Sequence, residues 1–177
     1  MAIIHKASVS PTRMELLERI FGEAVTVLGT YRLDDPSGEV GIEAFIACSG
    51  AKTRQVVLTY RGAPLEGAEE DLISTMEHSV LGRRWIYNGT GDPVAVACFR
   101  RALRGEQEQA LEELWDNGQR VGTVEPSIRL SVVAGQSPEV DAAPVIARDL
   151  DNAPTHARGP SLRAEWNSGG AIVASIG

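Results

Sequence analysis

Cysteine and aromatic residues are scarce in this chain. Cys48 and Cys98 are the only thiols among 177 residues, and Phe, Trp and Tyr together make up 5%. Two cysteines, each in an apolar stretch, supply neither a disulfide framework nor a zinc-ligand spacing, so both are read as small buried hydrophobes. Positive charge is also in deficit. Seventeen Lys and Arg face 24 Asp and Glu, a formal net charge of -7, which disfavours phosphate backbones and anionic lipid and removes nucleic acid from the expected partners. No segment approaches the ~20 apolar residues that span a bilayer, and the opening MAIIHKASVSPT lacks the apolar run of a signal peptide. The expectation is a cytoplasmic protein with no membrane partner.

The parts of a phosphoryl-transfer site are missing too. Such a site needs a loop over the phosphates, a lysine to hold them, a base aspartate with a downstream asparagine, and a magnesium-binding aspartate. None of the three histidines, His5, His78 and His156, lies in a catalytic-loop pattern, and there is no glycine-rich phosphate loop. Asp149, Asp151 and Asn152 stand close together in a stretch rich in Asp, Asn, Pro and Gly, where aspartates are ordinary turn residues. The chain is therefore expected to be no enzyme and to carry no cofactor and no metal.

What it does contain is the material of a folded core, with 43% hydrophobic and 23% charged residues. Ser10-Pro11 followed by Met14, Leu16, Leu17, Ile20 and Phe21 predicts an amphipathic helix over 11–21, capped by Ser10 and stopped at Gly22, after an opening strand at Ile3-Ile4. Three β-rich runs follow at 25–33, 40–48 and 53–60. The turn chemistry between them is too short for a crossover helix, which predicts an antiparallel meander. Leu72, Ile73 and Met76 suggest a helix within 69–79, and Trp85-Ile86-Tyr87 an extended piece closed by Asn88-Gly89. Asp92-Pro93 opens a helix to Leu103, and Ala110, Leu111, Leu114 and Trp115 suggest another over 106–115. Short β-like runs at 127–133, 144–147, 161–166 and 171–176 complete the chain, with 149–159 read as a mobile loop. Two regions are expected, 1–103 and 104–177, the second a helix plus short strands on or extending the first.

The wording of the first hundred residues carries a resemblance. HKASVSPTRMELL, TYRLDDPSGEVGIEAFI and VVLTYRGAPLEGAEEDLISTMEHSVLGRRWIYNGTGDPVAVACF resemble the N-terminal cap domain of bacterial maltokinases, above all in short stand-alone cap-like proteins, with Leu58 to Pro93 the most specific run. The resemblance implies a cystatin-like fold, a curled antiparallel sheet wrapping an N-terminal helix, and with the elements read above the expectation is an α+β chain with two or three further helices and a C-terminal β-rich part. It also implies a non-catalytic regulatory or interaction module tied to maltose 1-phosphate, trehalose and glycogen metabolism. Its partner would be a kinase, a glucan-metabolism enzyme or a second copy of the chain. The resemblance carries over no catalytic residue.

Polar candidates concentrate in one segment. Glu77 and His78, with Arg83, Arg84 and Asp92, place a histidine between carboxylates, the composition of a general base. The plainer reading is a local hydrogen-bonded network in which Asp92 caps the helix it precedes. Glu43 lies inside the apolar run 41–46, where it either faces a pocket or forms an ion pair with Arg61 or Arg84. Arg83, Arg84 and Trp85 are residue types enriched at binding hot spots. Trp85, Trp115 and Trp166 suit sugar stacking or, more simply, the core. Arg100, Arg101 and Arg104 suit a sugar phosphate or nucleotide, or the C-terminal dipole of their helix. The acidic run Glu66, Glu69, Glu70 and Asp71 is read as a solvated helix start. The alternative function is a small-molecule or carbohydrate-binding protein using a cleft beside residues 58–93.

Overall fold

Thr12, not Ser10, starts the first helix. In the computed structural model, which describes residues 2–5, 7–116, 118–135, 142–154 and 158–176, the Glu15 amide donates to Thr12 Oγ1 at 3.2 Å and the Thr12 amide donates to the Glu15 carboxylate at 2.7 Å. This Thr-x-x-Glu capping box satisfies two orphan donors at once. It leaves Pro11 outside helix α1, Arg13–Phe21, which Gly22 closes in the left-handed conformation. Two short strands precede it, β1 (Ala2–His5) and β2 (Val9–Ser10).

The three turn-bounded runs form the expected meander: β3 (Thr26–Asp34), β4 (Gly41–Ser49) and β5 (Lys52–Arg61), antiparallel throughout. The helix expected at 69–79 is not there. A single 3-10 turn, Glu69–Asp71, leads into β6 (Leu72–His78), which pairs with β7 (Gly82–Asn88) as a hairpin. Leu72, Ile73 and Met76 fit a helical stripe, but Ile73 and Thr75 favour a strand, and Gly82 at φ 71° supplies the turn residue that returns the chain. The resulting six-stranded, curled antiparallel sheet has the order β2-β6-β7-β5-β4-β3.

Both faces of its centre are covered, so β4 reads as nearly continuous burial rather than alternation. Phe45, Leu58, Met76 and Ile86 on one face pack against Leu16 and Leu17 of α1, both 0% exposed. The two leucines each contribute roughly 1.5–3 kcal/mol by leaving water, and the expectation that α1 lies on the sheet with these residues buried is borne out. The opposite face, Tyr31, Leu33, Ile42, Ala44, Ile46 and Val57, packs against helix α2 (Pro93–Leu103) and the C-terminal strands.

The helix expected over 106–115 is replaced by extended chain. Ala110 N donates to Arg32 O at 2.8 Å and Gln107 Nε2 to Asp34 O at 2.9 Å. Residues 107–110 are thus drawn along the outer edge of β3, and the favourable helical stripe yields to covering a sheet edge. Strand β8 (Glu112–Asp116) follows, between β1 on its parallel side and β9 (Gln119–Val124) on its antiparallel side. Among the described residues there are two α-helices, not three or four.

The remaining strands, β10 (Arg129–Val133), β11 (Pro144–Ile146), β12 (Ser161–Trp166) and β13 (Gly169–Ile176), form a separate four-stranded sheet in the order β10-β12-β13-β11. They are a second layer on the α2 side and share one apolar cluster with β3–β5. Gln55 ties the layers. Its Nε2 donates to Ala147 O and Val173 O at 2.8 and 2.9 Å, and its Oε1 accepts from the buried Tyr31 hydroxyl. The part of 149–159 that is described is docked, not loose: Leu150 N donates to Thr53 O, Thr53 N donates to Asp151 Oδ2, and Leu150 is 7% exposed. Residues 155–157 lie outside the described residues. Among those described, no helix is long and apolar enough to cross a membrane.

Candidate functional site

The eight candidate residues separate into three places. Glu43 is the most deeply buried of an ionic group on the α1 face of the sheet. Its Oε2 lies 2.9 Å from Arg13 Nε and 2.9 Å from Arg32 Nη2, and it accepts from the Tyr60 hydroxyl at 3.0 Å. Its partners are therefore Arg13 and Arg32, not Arg61 or Arg84. Arg32 stands directly opposite Glu43 in the β3–β4 register, and Arg13 reaches in from the first turn of α1. Glu112 of β8 adds a second carboxylate, 3.5 Å from Arg32 Nε. That contact lacks hydrogen-bond alignment and leaves the buried Nε without a partner. Burial pushes the Glu112 carboxyl above its ordinary range, Arg32 opposes this, and Glu43 adds to it. Burial, reinforced by Glu43, likewise pushes the Tyr60 phenol far up against the opposing pull of Arg13 and Arg32, so it is a hydrogen-bond donor throughout the physiological range.

Arg61 and Asp92 meet at the start of α2. Two parallel hydrogen bonds, Nε to Oδ2 at 2.7 Å and Nη2 to Oδ1 at 2.6 Å, join them, while Asp92 Oδ1 also accepts from Val94 N at 2.9 Å as the helix N-cap. Burial opposes ionisation of Asp92. The bonds from Arg61 and the Val94 amide outweigh it and hold the carboxyl below its usual range. The pair is a structural clamp, with both carboxylate oxygens engaged inside the protein.

Glu77, His78, Arg83, Arg84 and Trp85 belong to the β6–β7 hairpin. Glu77 pairs across the strands with Arg83 at 2.7 Å with both side chains 62% exposed, a pair worth about 0–1 kcal/mol. His78 points away from Glu77, as neighbours on a strand must. Its Nδ1 accepts from the amides of Val80 and Leu81 at 3.2 and 3.1 Å. Arg84 Nη2 donates to Leu81 O at 2.7 Å. The histidine and the arginine thus lock the turn 79–81, leaving Val80 and Leu81 at its tip 56% and 45% exposed. The carboxylates of Glu77 and Asp92 are engaged by Arg83 and Arg61 respectively.

Sequence reasoning missed Arg13, Arg32, Tyr60 and Glu112. The available signal was Arg32 inside the apolar run 31–33 opposite an equally isolated Glu43, since a buried charge implies a buried partner. Arg101, proposed as a phosphate ligand, donates to Gln107 Oε1 and Cys98 Sγ.

A cleft of about 440 Å³ opens where β7 leaves β5. It is lined on one side by Asp71, Ile73, Asn88 and Thr90, and on the other by Arg54 and Arg148. Beyond Leu58↔Asn88 the edge of β5 is held at one side of the cleft by Gly89 N on Val57 O and at the other by Arg148 O on Gln55 N and by Leu150 and Asp151 on Thr53. By strand alternation Gln55 C=O and Val57 N–H face the gap between these contacts.

Residues 19–92 match the family model of the maltokinase N-terminal cap domain. The match runs from the last turn of α1 through the meander and the β6–β7 hairpin to the N-cap of α2, and bears out the resemblance over that span. No curated protein matches the chain, and no solved structure does.

Proposed function

We propose that this chain is a non-catalytic interaction module built on a maltokinase-cap-like core, with the β6–β7 hairpin as its docking element. The observation that carries this reading is the tip of that hairpin. Val80 and Leu81 are held out in solvent by His78 and Arg84 and flanked by the exposed pair Glu77–Arg83. A rigid apolar tip with charges of both signs beside it is suited to bury itself in a partner at little entropic cost. It lies within the segment that matches the cap family. The partner is a kinase of that family, a glucan-metabolism enzyme or a second copy of the chain, which makes the module regulatory and links it to maltose, trehalose and glycogen chemistry. A helix seated on a curled antiparallel sheet agrees with a cystatin-like cap.

The test is co-purification of tagged protein from its native cytoplasm, wild type beside Val80→Asp/Leu81→Asp. The variant should melt as wild type does, because neither side chain packs in the core, and should lose the kinase or glucan enzyme that wild type retains. Equal recovery with both proteins overturns the assignment of the tip. A second reading, small-molecule or carbohydrate binding, is favoured by the cleft beside β5 with its unpaired backbone donor and acceptor. Saturable binding of maltose or a malto-oligosaccharide, abolished by Arg54→Ala and by Asn88→Ala but not by the tip variant, would favour it.

A further inference from the structure

We propose that the outer edge of β10 takes up an extended segment of a partner polypeptide, at a second interaction surface separate from the β6–β7 hairpin. The structure already contains the beginning of such a pairing. Gln109 Nε2 donates to Ile128 O at 2.9 Å and Gln109 Oε1 accepts from Leu130 N at 2.6 Å. A residue of a parallel neighbouring strand pairs with the carbonyl before and the amide after the residue it faces, so one carboxamide here stands in for one strand residue opposite Arg129. Alternation turns Leu130 C=O and Val132 N–H to the same side, where they repeat the pattern one step further on. Strand β10 ends its sheet there, with β12 on its other side only.

The open step faces a groove of about 390 Å³. Its floor is apolar, from Leu130, Val132, Leu162 and Ala102, and Glu108 stands on its rim. Val132 and Val133 are 46% and 43% exposed, the kind of uncovered edge that natural sheets otherwise blunt with charge, proline or a covering loop. Residues 107–110 cover the edge of β3 and the first step of β10, and among the described residues none pairs with the rest. The fit is to a peptide in extended conformation. Its amide and carbonyl continue the ladder from Gln109, a small aliphatic side chain enters the groove, and a lysine or arginine beside it meets Glu108. This is strand addition, in which main-chain bonds give affinity and alternate side-chain pockets give selectivity.

A phage-displayed library of eight-residue peptides, panned on the full chain immobilised through a C-terminal tag, supplies the probe. Enriched sequences should carry an aliphatic residue next to a basic one. In solution the synthetic peptides should protect the Val132 amide from hydrogen exchange and bind Val132→Pro at least tenfold more weakly, because proline removes the donor. Glu108→Lys, which leaves the backbone intact, should weaken binding several-fold. If Val132→Pro fails to fold, Glu108→Lys and the protection of Val132 decide. A library that yields no binder, or binders that leave Val132 unprotected and bind Glu108→Lys as wild type, overturns the proposal. The tip variant Val80→Asp/Leu81→Asp should bind these peptides unchanged, so the two surfaces succeed or fail separately.

Discussion

Arg61 grips the carboxylate of Asp92 with two parallel hydrogen bonds of 2.7 and 2.6 Å, and Asp92 is fully buried while it caps α2. Strand β5 and helix α2 are thereby joined at the point where the chain leaves the cap-like sheet. Asp92→Ala strands the Arg61 guanidinium and removes the N-cap together. We expect a loss of about 3–5 kcal/mol, the range for breaking a buried pair, measured by urea unfolding. The pH dependence follows from the depressed carboxyl. An unfolded aspartate titrates near ~3.9, and the folded value lies below it. The stabilisation is complete above about pH 4 and is lost as pH falls through the folded value. Asp92→Asn has no such charge, so its deficit should be constant between neutral pH and about pH 5 and should shrink below about pH 4.

Glu43 and Arg32 provide a different kind of pair, 5% and 9% exposed beneath α1. Glu43→Leu leaves Arg32 buried with only the misaligned Glu112 contact and is expected to cost about 3–5 kcal/mol. The double replacement Glu43→Leu with Arg32→Leu should recover most of that loss, since the ion pair's attraction mainly offsets its own desolvation. A double-mutant cycle in urea measures the coupling. Additive losses would mean the two residues stabilise the fold through separate contacts.

Purified protein should transfer no phosphoryl group from ATP or GTP to maltose, as judged by a radiolabel assay. The aspartates that lie nearest to a magnesium-binding pattern in sequence have structural duties: Asp149 accepts from Asn152 Nδ2 at 2.8 Å and from Asp151 N at 3.1 Å, and Asp151 accepts from Thr53 N. The Asn152 hydrogen bond is the main cause of the depressed Asp149 carboxyl. Turnover that persists through purification and disappears in Asp149→Ala or Asp151→Ala would overturn the non-catalytic reading.

The elements that sequence made legible are those whose local and tertiary preferences agree. The meander was readable because Asp34 to Gly38 and Ser49 to Ala51 turn the chain sharply between β-rich runs. Helix α2 was readable because Asp92-Pro93 is both cap and first-turn signal. The two misplaced helices share one cause. At 72–78 and at 106–115 an apolar spacing suited a helix, yet the chain was needed as a sheet partner, in β6 beside β7 and along the edge of β3. Gly29 held an unread clue. Glycine within a strand marks a bulge or a close approach, and here the β3–β4 register shifts as Ile128 crosses, 2.7 Å from where a Cβ at this position would stand. Among the site residues, the Asp92 cap was legible from its neighbours in sequence. The partners of Glu43 were not, because they come from α1, β3 and β5, and only the folded sheet with α1 seated on it brings them together.

Glu112 should make the attachment of β8 sensitive to pH in the direction opposite to Asp92. Its carboxyl lies against Arg32, with Glu43 and Arg13 in the same group, and burial holds it above its ordinary range despite Arg32. An unfolded glutamate titrates near ~4.3. A folded value above that means the protonated acid is favoured in the fold. This contribution is complete below about pH 4.3 and is lost as pH rises through the folded value. Glu112→Gln stays neutral at every pH and does not lose it. The stability of the glutamine variant relative to wild type should therefore rise as pH increases from about 4 towards neutrality and then level off, in urea titrations at a series of pH values. The sign of that slope carries the prediction, because the absolute difference also contains the altered contact with Arg32. Hydrogen exchange adds a local reading: the β8 amides of wild type, corrected for intrinsic rate, should be better protected at pH 4.5 than at pH 7.5, and those of the variant should not change. A slope of the other sign would mean that Arg32, despite its misaligned Nε, stabilises the Glu112 charge by more than burial costs it.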